Sequence, residues 1–393
     1  MQIIDHFPAK IKIVMQTSDF FERLKIHFDS NLPFAAYRKP KAENISCFLQ
    51  QNSELYSTDS FSESGFVFAP FDSKKNNVFF PLHHSDRFSF KFISDTLHGQ
   101  NDKESKQNVQ ADKDIDRRSQ HLVLVSKGIN AISNNQLTKV VLSRQEILEI
   151  DRVNPFELFK KLLNRYADAF VYIWFHPKIG LWMGATPETL LRVKGLRFNT
   201  MALAGTAKAS KSSEINWDKK NIEEQQIVAQ FIADKLKPLV EKISVSPQKT
   251  VQAGNVYHLK SEISGVFKSA DNNLKNLIRS LHPTPAVCGL PKNKAKQFIL
   301  NTEIYQREFY TGFLGELNLK SSRTRNTNRR NVENNAYGIV QKTSELYVNL
   351  RCMKILEKTA IIYVGGGITV ESNPEKEWEE TVNKAQTMLD VLT

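Results

Sequence analysis

The sequence predicts an α+β protein whose sheets are largely antiparallel. Short apolar strands follow one another in hairpin-like pairs, such as "AFVYIWFHP" and "IGLWMGA", which only a short turn separates. Amphipathic helices lie between these strand pairs. A parallel sheet would instead require single strands that alternate with helices. The 393 residues, 40% of them apolar, can bury a substantial core, either in one large body or in roughly two to three domains.

The first hundred residues mix helix and strand signals. "SDFFERLKIHF" predicts an amphipathic helix behind a Ser/Asp cap, and "FAAYR", "SCFLQ" and "GFVFAPF" predict strands. A polar, charged stretch at residues 103–118 follows and is typical of a linker.

From about residue 119 the elements are denser. "HLVLVSKGINAI" predicts a helix, "KVVLSRQEILEI" a long strand, and "NPFELFKKLLNRY" a helix with Asn154 as cap and Pro155 at its first position. After the first strand pair, the predicted order is the helix 220–236, the strand "NVYHLKSEISGVF", the helix "NNLKNLIRSL", the strand "FYTGFLGELNL", the strand pair "ELYVNLRCMKIL" and "TAIIYVGGGI", and an acidic C-terminal helix.

The chain is basic, with 54 Lys and Arg against 42 Asp and Glu. Much of the excess lies at residues 103–118 and 319–330, and the second stretch lacks the aromatic residues on which single-stranded nucleic acid stacks. We therefore expect solvated loops and no nucleic-acid partner, with a basic nucleic-acid-binding protein as the alternative. Three scattered cysteines, no signal-type N-terminus and no long apolar run predict a cytoplasmic protein without a membrane partner.

The acidic helix "EKEWEETVNKAQTML" (375–389) is a candidate metal site. Glu377, Glu380 and Lys384 are spaced by three and four residues, so they share one helical stripe. Two carboxylates one turn apart repel each other unless a cation lies between them, and carboxylates with open positions suit Mg²⁺. The alternative is an exposed helix N-terminus whose acidic residues are stabilised by the helix dipole.

Four further features are ambiguous when taken singly. Lys139 on a strand is either outward and inert or, if buried, a candidate general base. Glu188, at a strand end, is either a complementary acid or structural, and Glu224 alone is typical of a solvated helix surface. "YVGGGI" (363–368) lacks phosphate-loop spacing, so it favours a tight turn over a backbone binding loop.

An ordered set of motifs resembles the chorismate-utilising enzymes. The motifs are "KVVLSR", "GATPETLL", "ALAGT", "EEQQIV", "VYHL", "LHPTPAVCG", "REFYTGFLG", "VNLRC", "GGGI" and "EKEWEETVNKAQTML". That family includes isochorismate synthase, salicylate synthase, anthranilate synthase component I and aminodeoxychorismate synthase. The resemblance implies two large, mainly antiparallel β-sheets packed together with helices outside, as in anthranilate synthase component I. It also implies a variable N-terminal part of the same fold at residues 1–110, a chorismate-binding catalytic domain at residues 119–393, and a monomer.

The resemblance also implies the site. Glu224 and Glu380 correspond to the Mg²⁺ ligands, Glu377 supports the metal's waters, and the metal holds the substrate's ring carboxylate. Arg351 and Tyr310 receive the enolpyruvyl carboxylate. The positions that resemble the family's substrate-binding residues are Leu203, Gly205, Thr206, His258 (as a hydrogen-bond donor), Ala286, Tyr310, Arg351, Gly366, Gly367 and Lys384.

The nucleophile position distinguishes members of the family. Isochorismate and salicylate synthases have a lysine where this chain has Lys139, whereas anthranilate synthases have glutamine there; aminodeoxychorismate synthases have a lysine where this chain has Ala204. The resemblance thus implies an isochorismate synthase, an isomerase in which Lys139 activates water and Glu188 protonates the leaving hydroxyl. Salicylate synthase is the alternative, which Ala286 disfavours. For the pathway we expect menaquinone biosynthesis, with siderophore biosynthesis left open.

Three features depart from the family pattern. Asn221 stands where an acidic residue is usual, and Gln225 replaces a frequent histidine. The basic segment 319–335 resembles an insertion between two strands.

Overall fold

The computed structural model describes residues 17–92, 115–151, 153–208, 215–253, 256–268, 274–323 and 339–392. The helices in these ranges are α1 (Thr17–Asp29), α2 (Ile115–Ser133), α3 (Pro155–Arg165), α4 (Lys219–Leu236), α5 (Leu274–Leu281), α6 (Lys292–Thr302) and α7 (Pro374–Leu392). Within the described ranges, no helix is both long and apolar enough to cross a membrane.

The strands in the same ranges form two nine-stranded sheets. In chain order they are β1 (Phe34–Arg38), β2 (Asn44–Gln50), β3 (Gly65–Ala69), β4 (Val78–Pro81), β5 (Ser85–Lys91), β6 (Lys139–Glu149), β7 (Phe170–His176), β8 (Gly180–Thr186), β9 (Thr189–Lys194), β10 (Arg197–Lys208), β11 (Val240–Val245), β12 (Lys249–Ala253), β13 (Val256–Phe267), β14 (Gly289–Leu290), β15 (Phe313–Arg323), β16 (Ile339–Val348), β17 (Cys352–Leu356) and β18 (Thr359–Ile368).

The first sheet has the order β14-β6-β18-β17-β8-β7-β1-β2-β5, and the second has the order β11-β13-β10-β9-β16-β15-β3-β4, with β12 paired to β13. In both sheets, the neighbouring strands pair in the antiparallel direction. The predicted architecture of two large antiparallel sheets is therefore confirmed. The N-terminal strands β1 to β5 extend both sheets, and the proposed division near residues 110–119 stays a prediction.

Aromatic side chains fill the space between the two sheets. Trp174, Trp182 and Tyr172 from the first sheet pack with Phe68 and Tyr347 from the second. Strand β7 is buried along its whole length, because its inner face meets this cluster and its outer face meets α1 and α3 in a second apolar cluster. The sequence of a strand that is buried on both faces is typically a continuous run of apolar residues, and "FVYIWFH" is nearly such a run.

Helices cover the outer faces as predicted. Residues of α1, α3 and α7 pack on the first sheet, and residues of α4 and α5 pack on the second. The Asn154 side chain accepts the backbone N–H of Phe156 at 3.0 Å, which confirms the predicted cap of α3. The two predicted loops, at residues 103–118 and 319–330, lie mostly outside the described residues. Of the first loop, only residues 115–118 are described, and they belong to α2. Of the second loop, only residues 319–323 are described, and they belong to β15.

The tight turn favoured for "YVGGGI" is wrong, whereas the predicted strand "TAIIYVGGGI" is confirmed as β18. Gly365, Gly366 and Gly367 lie inside β18 and pair with Ser143, Leu142 and Val141 of β6. The glycines leave space above the strand, and the functional side chains occupy that space.

Candidate active site

The candidate site lies where the chain passes from one sheet to the other. Glu188 follows β8 of the first sheet and precedes β9 of the second, and Arg351 joins β16 of the second sheet to β17 of the first. The backbone N–H of Val348 donates to the Glu188 carbonyl oxygen at 3.0 Å, so the two crossings are tied together. Arg351 has a φ of +46°, a left-handed conformation that is uncommon for a residue with a side chain.

A cavity at this junction brings the predicted residues together. Those that line it are Glu188, Leu203, Gly205, Thr206, Glu224, His258, Ala286, Tyr310, Arg351, Gly366, Gly367, Glu380 and Lys384. The other two, Lys139 and Glu377, lie directly behind the lining. A neighbouring cavity of about 380 Å³ shares Pro187 and Arg351 with the lining of the first.

Each of the three candidate metal carboxylates is paired with its own lysine. Lys139 Nζ lies 2.7 Å from Glu224 Oε1, and Lys139 is fully buried. Lys384 Nζ lies 2.5 Å from Glu380 Oε1. Lys220 Nζ lies 2.7 Å from Glu377 Oε1.

Sequence reasoning did not single out Lys220. Its signal was available, since it stands four residues before Glu224 and so on the same face of α4. The attraction of Glu377, Glu224 and Glu380 raises the pKa of Lys220 against the opposing effect of burial.

The glycines of β18 let these carboxylates approach the backbone. A Cβ at Gly367 would stand 2.4 Å from Glu224 Oε1, and one at Gly366 would stand 3.3 Å from Glu377 Oε2. A Cβ at Gly365 would stand 3.1 Å from the Tyr310 hydroxyl oxygen. The run of three glycines is therefore required by close packing of acidic and hydroxyl groups, which its sequence alone did not reveal.

The residues present fit a magnesium ion in their chemistry. Their donors are carboxylate oxygens, which Mg²⁺ prefers, and it needs only one or two of them beside water and substrate. Glu377 Oε2 is buried without a hydrogen-bond partner in the part of the chain that the structure describes. Burial and the charge of Glu380 raise the pKa of Glu377. For the described residues, no set of three or more His, Cys, Asp or Glu side chains stands in ligand geometry, and the carboxylates face lysines instead.

Glu188 has the properties of an acid. Only 3% of the residue is exposed. Burial raises the pKa of its carboxyl group to about 8, although the positive charge of Lys139 opposes the shift. Glu188 therefore carries a proton at neutral pH, as a proton donor must.

His258 and Arg351 form a neutral–cationic pair in the cavity. Burial, with the charges of Arg351 and Lys384, lowers the pKa of His258 to about 3. In the neutral ring, Nδ1 donates to the Gly205 carbonyl oxygen at 2.7 Å, and Nε2, 3.4 Å from an Arg351 nitrogen, is left as an acceptor. The predicted donation from His258 to a ligand therefore differs from the arrangement found, because the one N–H is already used on Gly205.

The two departures on α4 have structural roles. Asn221 Oδ1 accepts the Thr206 N–H at 3.0 Å, next to Gly205, whose φ of +74° favours glycine. The Gln225 side chain is fully buried and donates to the Ala202 carbonyl oxygen at 3.2 Å. Both residues hold β10 against α4 and so position the cavity wall.

The acidic residues of the helix "EKEWEETVNKAQTML" differ in burial. Glu377 is buried, while Glu375 and Glu379 are exposed and Glu375 pairs with Arg118. The Arg144 guanidinium lies 4.2 Å from the centre of the Trp378 ring, which holds α7 against β6.

Fold and site together define an α+β protein that encloses acid–base groups and a cluster of carboxylates between two antiparallel sheets. The chain belongs to the chorismate binding enzymes, a family that matches residues 84–323 and 328–390.

Individual relatives match this chain over part of their length. The isochorismate synthase MenF of Haemophilus influenzae is 26% identical over 277 residues, covering 68% of this chain and 59% of that protein. DhbC of Bacillus subtilis, also an isochorismate synthase, is 28% identical over 286 residues, covering 68% and 66%. The match thus spans about three fifths to two thirds of the length of these relatives.

Two solved structures share the fold. MenF of Escherichia coli, a menaquinone-specific isochorismate synthase, superposes with a TM-score of 0.71 at 21% identity, covering 92% of this chain and 89% of that chain. Anthranilate synthase component I of Streptococcus pneumoniae superposes with a TM-score of 0.60 at 16% identity, covering 99% and 94%. The predicted likeness to anthranilate synthase component I is confirmed for the fold.

Proposed function

We propose that this chain is an isochorismate synthase, a Mg²⁺-dependent isomerase that converts chorismate to isochorismate. The observation that carries the proposal is a pair of buried ionisable groups at one cavity, Glu188 in its lining and Lys139 directly behind that lining. Glu188 has a raised pKa of about 8, and Lys139 stands close enough for its charge to act on it. The names of the relatives and the lysine at the nucleophile position support the same reaction.

In the proposed binding mode, cationic groups receive a substrate with two carboxylates. The Arg351 guanidinium offers a planar donor pair to the enolpyruvyl carboxylate, and Thr387 Oγ1, 3.2 Å from Arg351 Nη1, orients it. The Tyr310 hydroxyl group beside Gly365 is the second donor. Burial raises the pKa of Tyr310, so it keeps the proton it donates.

The proposed metal site is made by Glu224 and Glu380, with Glu377 supporting its waters. Mg²⁺ bound there would neutralise the ring carboxylate of the substrate. Lys384 also donates to the Gly365 carbonyl oxygen at 3.0 Å, so it retains a backbone partner when Glu380 turns to a cation.

The proposed reaction adds one water and releases another. Lys139, as the proposed general base, takes a proton from water as the water oxygen bonds to the ring carbon next to the carboxylate-bearing carbon. Glu188 gives its proton to the departing ring hydroxyl, which leaves as water while both ring double bonds shift by one position. Proton exchange then returns both groups to their starting states, and the net change is an isomerisation.

The test is product analysis after incubation of the purified protein with chorismate and Mg²⁺. Isochorismate formation without pyruvate supports the proposal, whereas unchanged chorismate overturns it. Pyruvate release would identify a salicylate synthase instead. Ala286, which lines the cavity without a polar group, makes that outcome less expected.

For the pathway, we propose menaquinone biosynthesis in the cytoplasm, by a monomer. Restored menaquinone in a bacterial strain that lacks its menaquinone-specific isochorismate synthase would support this assignment. Restored catecholate siderophore alone, in a strain lacking the siderophore-specific enzyme, would favour the alternative.

A further inference from the structure

A second cavity, of about 620 Å³, lies apart from the candidate active site and shares none of its lining residues. Its walls come from residues 57–61 and 69–77, from the end of α5 and the start of α6, and from Lys235 and Phe313. A volume of this order is typical of sites for small organic ligands.

The charged residues that line the cavity are mostly basic. They are Lys74, Lys75, Lys235, Arg279, Lys292 and Lys296, against Asp59 as the one acidic residue in the lining. Lys296 is paired with Asp72 at 2.8 Å, and Lys292 donates to the carbonyl oxygens of Arg279 and His282 at 2.9 and 2.6 Å. Among the described residues, Lys74, Lys235 and Arg279 form no ion pair, which leaves their charge available to a ligand.

The N-terminus of α6 opens on the same cavity. Lys292 and Asn293 begin this eleven-residue helix and line the cavity, and no side chain caps the helix. The first N–H groups of a helix lack partners within it and carry the positive end of the helix dipole. This end of the cavity therefore suits an anionic group.

His282 supplies an independent indication of a ligand. It lines the cavity, is only 6% exposed, and has no hydrogen-bond partner at either ring nitrogen among the described residues. Burial and the charge of Lys292 lower the pKa of His282 to about 3, against the opposing effect of the nearby Pro70 and Phe71 backbone. The neutral ring offers one donor and one acceptor, and leaving both unpaired in a buried position is costly.

Part of the cavity lining is apolar. Phe61, Ile278, Pro283 and Phe313 form this part, and the His282 ring stands 5.0 Å from the Phe313 ring in an edge-to-face arrangement. Because these apolar residues can accommodate a ring and the same lining carries cations outside ion pairs, we propose that this cavity binds a small aromatic carboxylate. Its carboxylate lies toward the α6 N-terminus with Lys235 and Arg279, and a ring hydroxyl group bonds to His282.

The experiment is isothermal titration calorimetry of the full chain with 4-hydroxybenzoate. We expect binding, with 4-hydroxybenzyl alcohol, the uncharged analogue, and inorganic phosphate, which lacks the ring, each weaker by at least about tenfold. Lys235 and Arg279 are exposed, and the double substitution Lys235→Gln/Arg279→Gln should weaken binding of 4-hydroxybenzoate by about tenfold or more. Lys242→Gln, which removes an exposed charge from β11, is the matched control and should leave binding unchanged.

A variant of the candidate active site separates this inference from the proposed function. Arg351→Ala should leave the affinity for 4-hydroxybenzoate unchanged, because Arg351 does not line this cavity. The inference is overturned by absent binding, by binding that persists in the Lys235→Gln/Arg279→Gln protein, by loss of binding in Arg351→Ala, or by equal affinity for phosphate. None of these outcomes depends on whether chorismate is turned over.

Discussion

The Lys139 ammonium group lies 2.7 Å from Glu224 Oε1 and so joins the first sheet to the helix that covers the second. The lysine is fully buried, and the Glu224 side chain is 12% exposed. A buried charge is tolerated only with a compensating partner. The proposed base and the proposed metal ligand therefore lie in direct contact and compensate each other's charge.

Replacement of Lys139 tests its proposed role as base. Lys139→Gln should lower kcat for isochorismate formation by about a hundredfold to ten-thousandfold, since this is the contribution of a positioned general base. Lys160→Gln, at an exposed ion pair on α3, is the control and should keep full activity. Full activity of Lys139→Gln would contradict the mechanism.

The pH dependence tests Glu188. Because its pKa is raised to about 8 and the protonated form is the proposed acid, kcat should fall as pH rises through about 8. Glu188→Gln should abolish turnover at every pH. An unchanged rate from pH 7 to 9 in the wild-type protein would rule out Glu188 as the acid.

The same carboxyl group makes a prediction for stability. With a folded-state pKa above its ordinary value of 4.5, Glu188 contributes stability that is complete below pH 4.5 and is lost as pH rises through about 8. The free energy of unfolding in urea should therefore fall more between pH 5 and 9 in the wild-type protein than in Glu188→Gln. Equal slopes for the two proteins would show that Glu188 has no raised pKa.

The glycines of β18 allow a graded comparison. Gly367→Ala places a Cβ 2.4 Å from Glu224 Oε1 and 3.1 Å from Lys139 Cε, so it should displace both groups and remove most activity. Gly366→Ala, whose nearest contact is 3.3 Å, should be milder. Circular dichroism would verify folding, and the reverse order of activities would contradict the geometry.

Metal binding is tested by Mg²⁺ titration calorimetry without substrate. Glu380→Gln and Glu224→Gln should each weaken Mg²⁺ binding by about tenfold or more, because each removes a charged oxygen ligand. Glu375→Gln lies on the same helix but pairs with Arg118 at the surface, so it should leave Mg²⁺ affinity unchanged. Equal affinity in all variants would place the metal elsewhere.

Local sequence signals predicted the features that depend on interactions between residues close in sequence. The Asn154 cap, the β6 strand and the spacing of Glu377, Glu380 and Lys384 all follow from neighbours in sequence. The family resemblance, and not these signals, selected Glu188 and Glu224, which a single position leaves ambiguous. The site is assembled by two sheet crossings and two helices far apart in the chain.

What sequence reasoning missed depends on contacts between distant segments. The run of three glycines favours a turn when only its neighbours in sequence are considered. The need for glycine arises from the approach of Glu224 on α4 and Glu377 on α7. The ion pair of Lys220 with Glu377 and the hydrogen bond from His258 to the Gly205 carbonyl oxygen likewise depend on the tertiary structure. Asn221 was recognised as a departure, but its bond to Thr206 became visible only in the fold.

The most direct test of the central claim is chromatographic analysis of the products formed from chorismate with Mg²⁺ and with a chelator in its place. The account predicts isochorismate, without pyruvate or anthranilate, only in the presence of Mg²⁺. Unchanged chorismate under both conditions would contradict it, as would isochorismate formed equally well with the chelator.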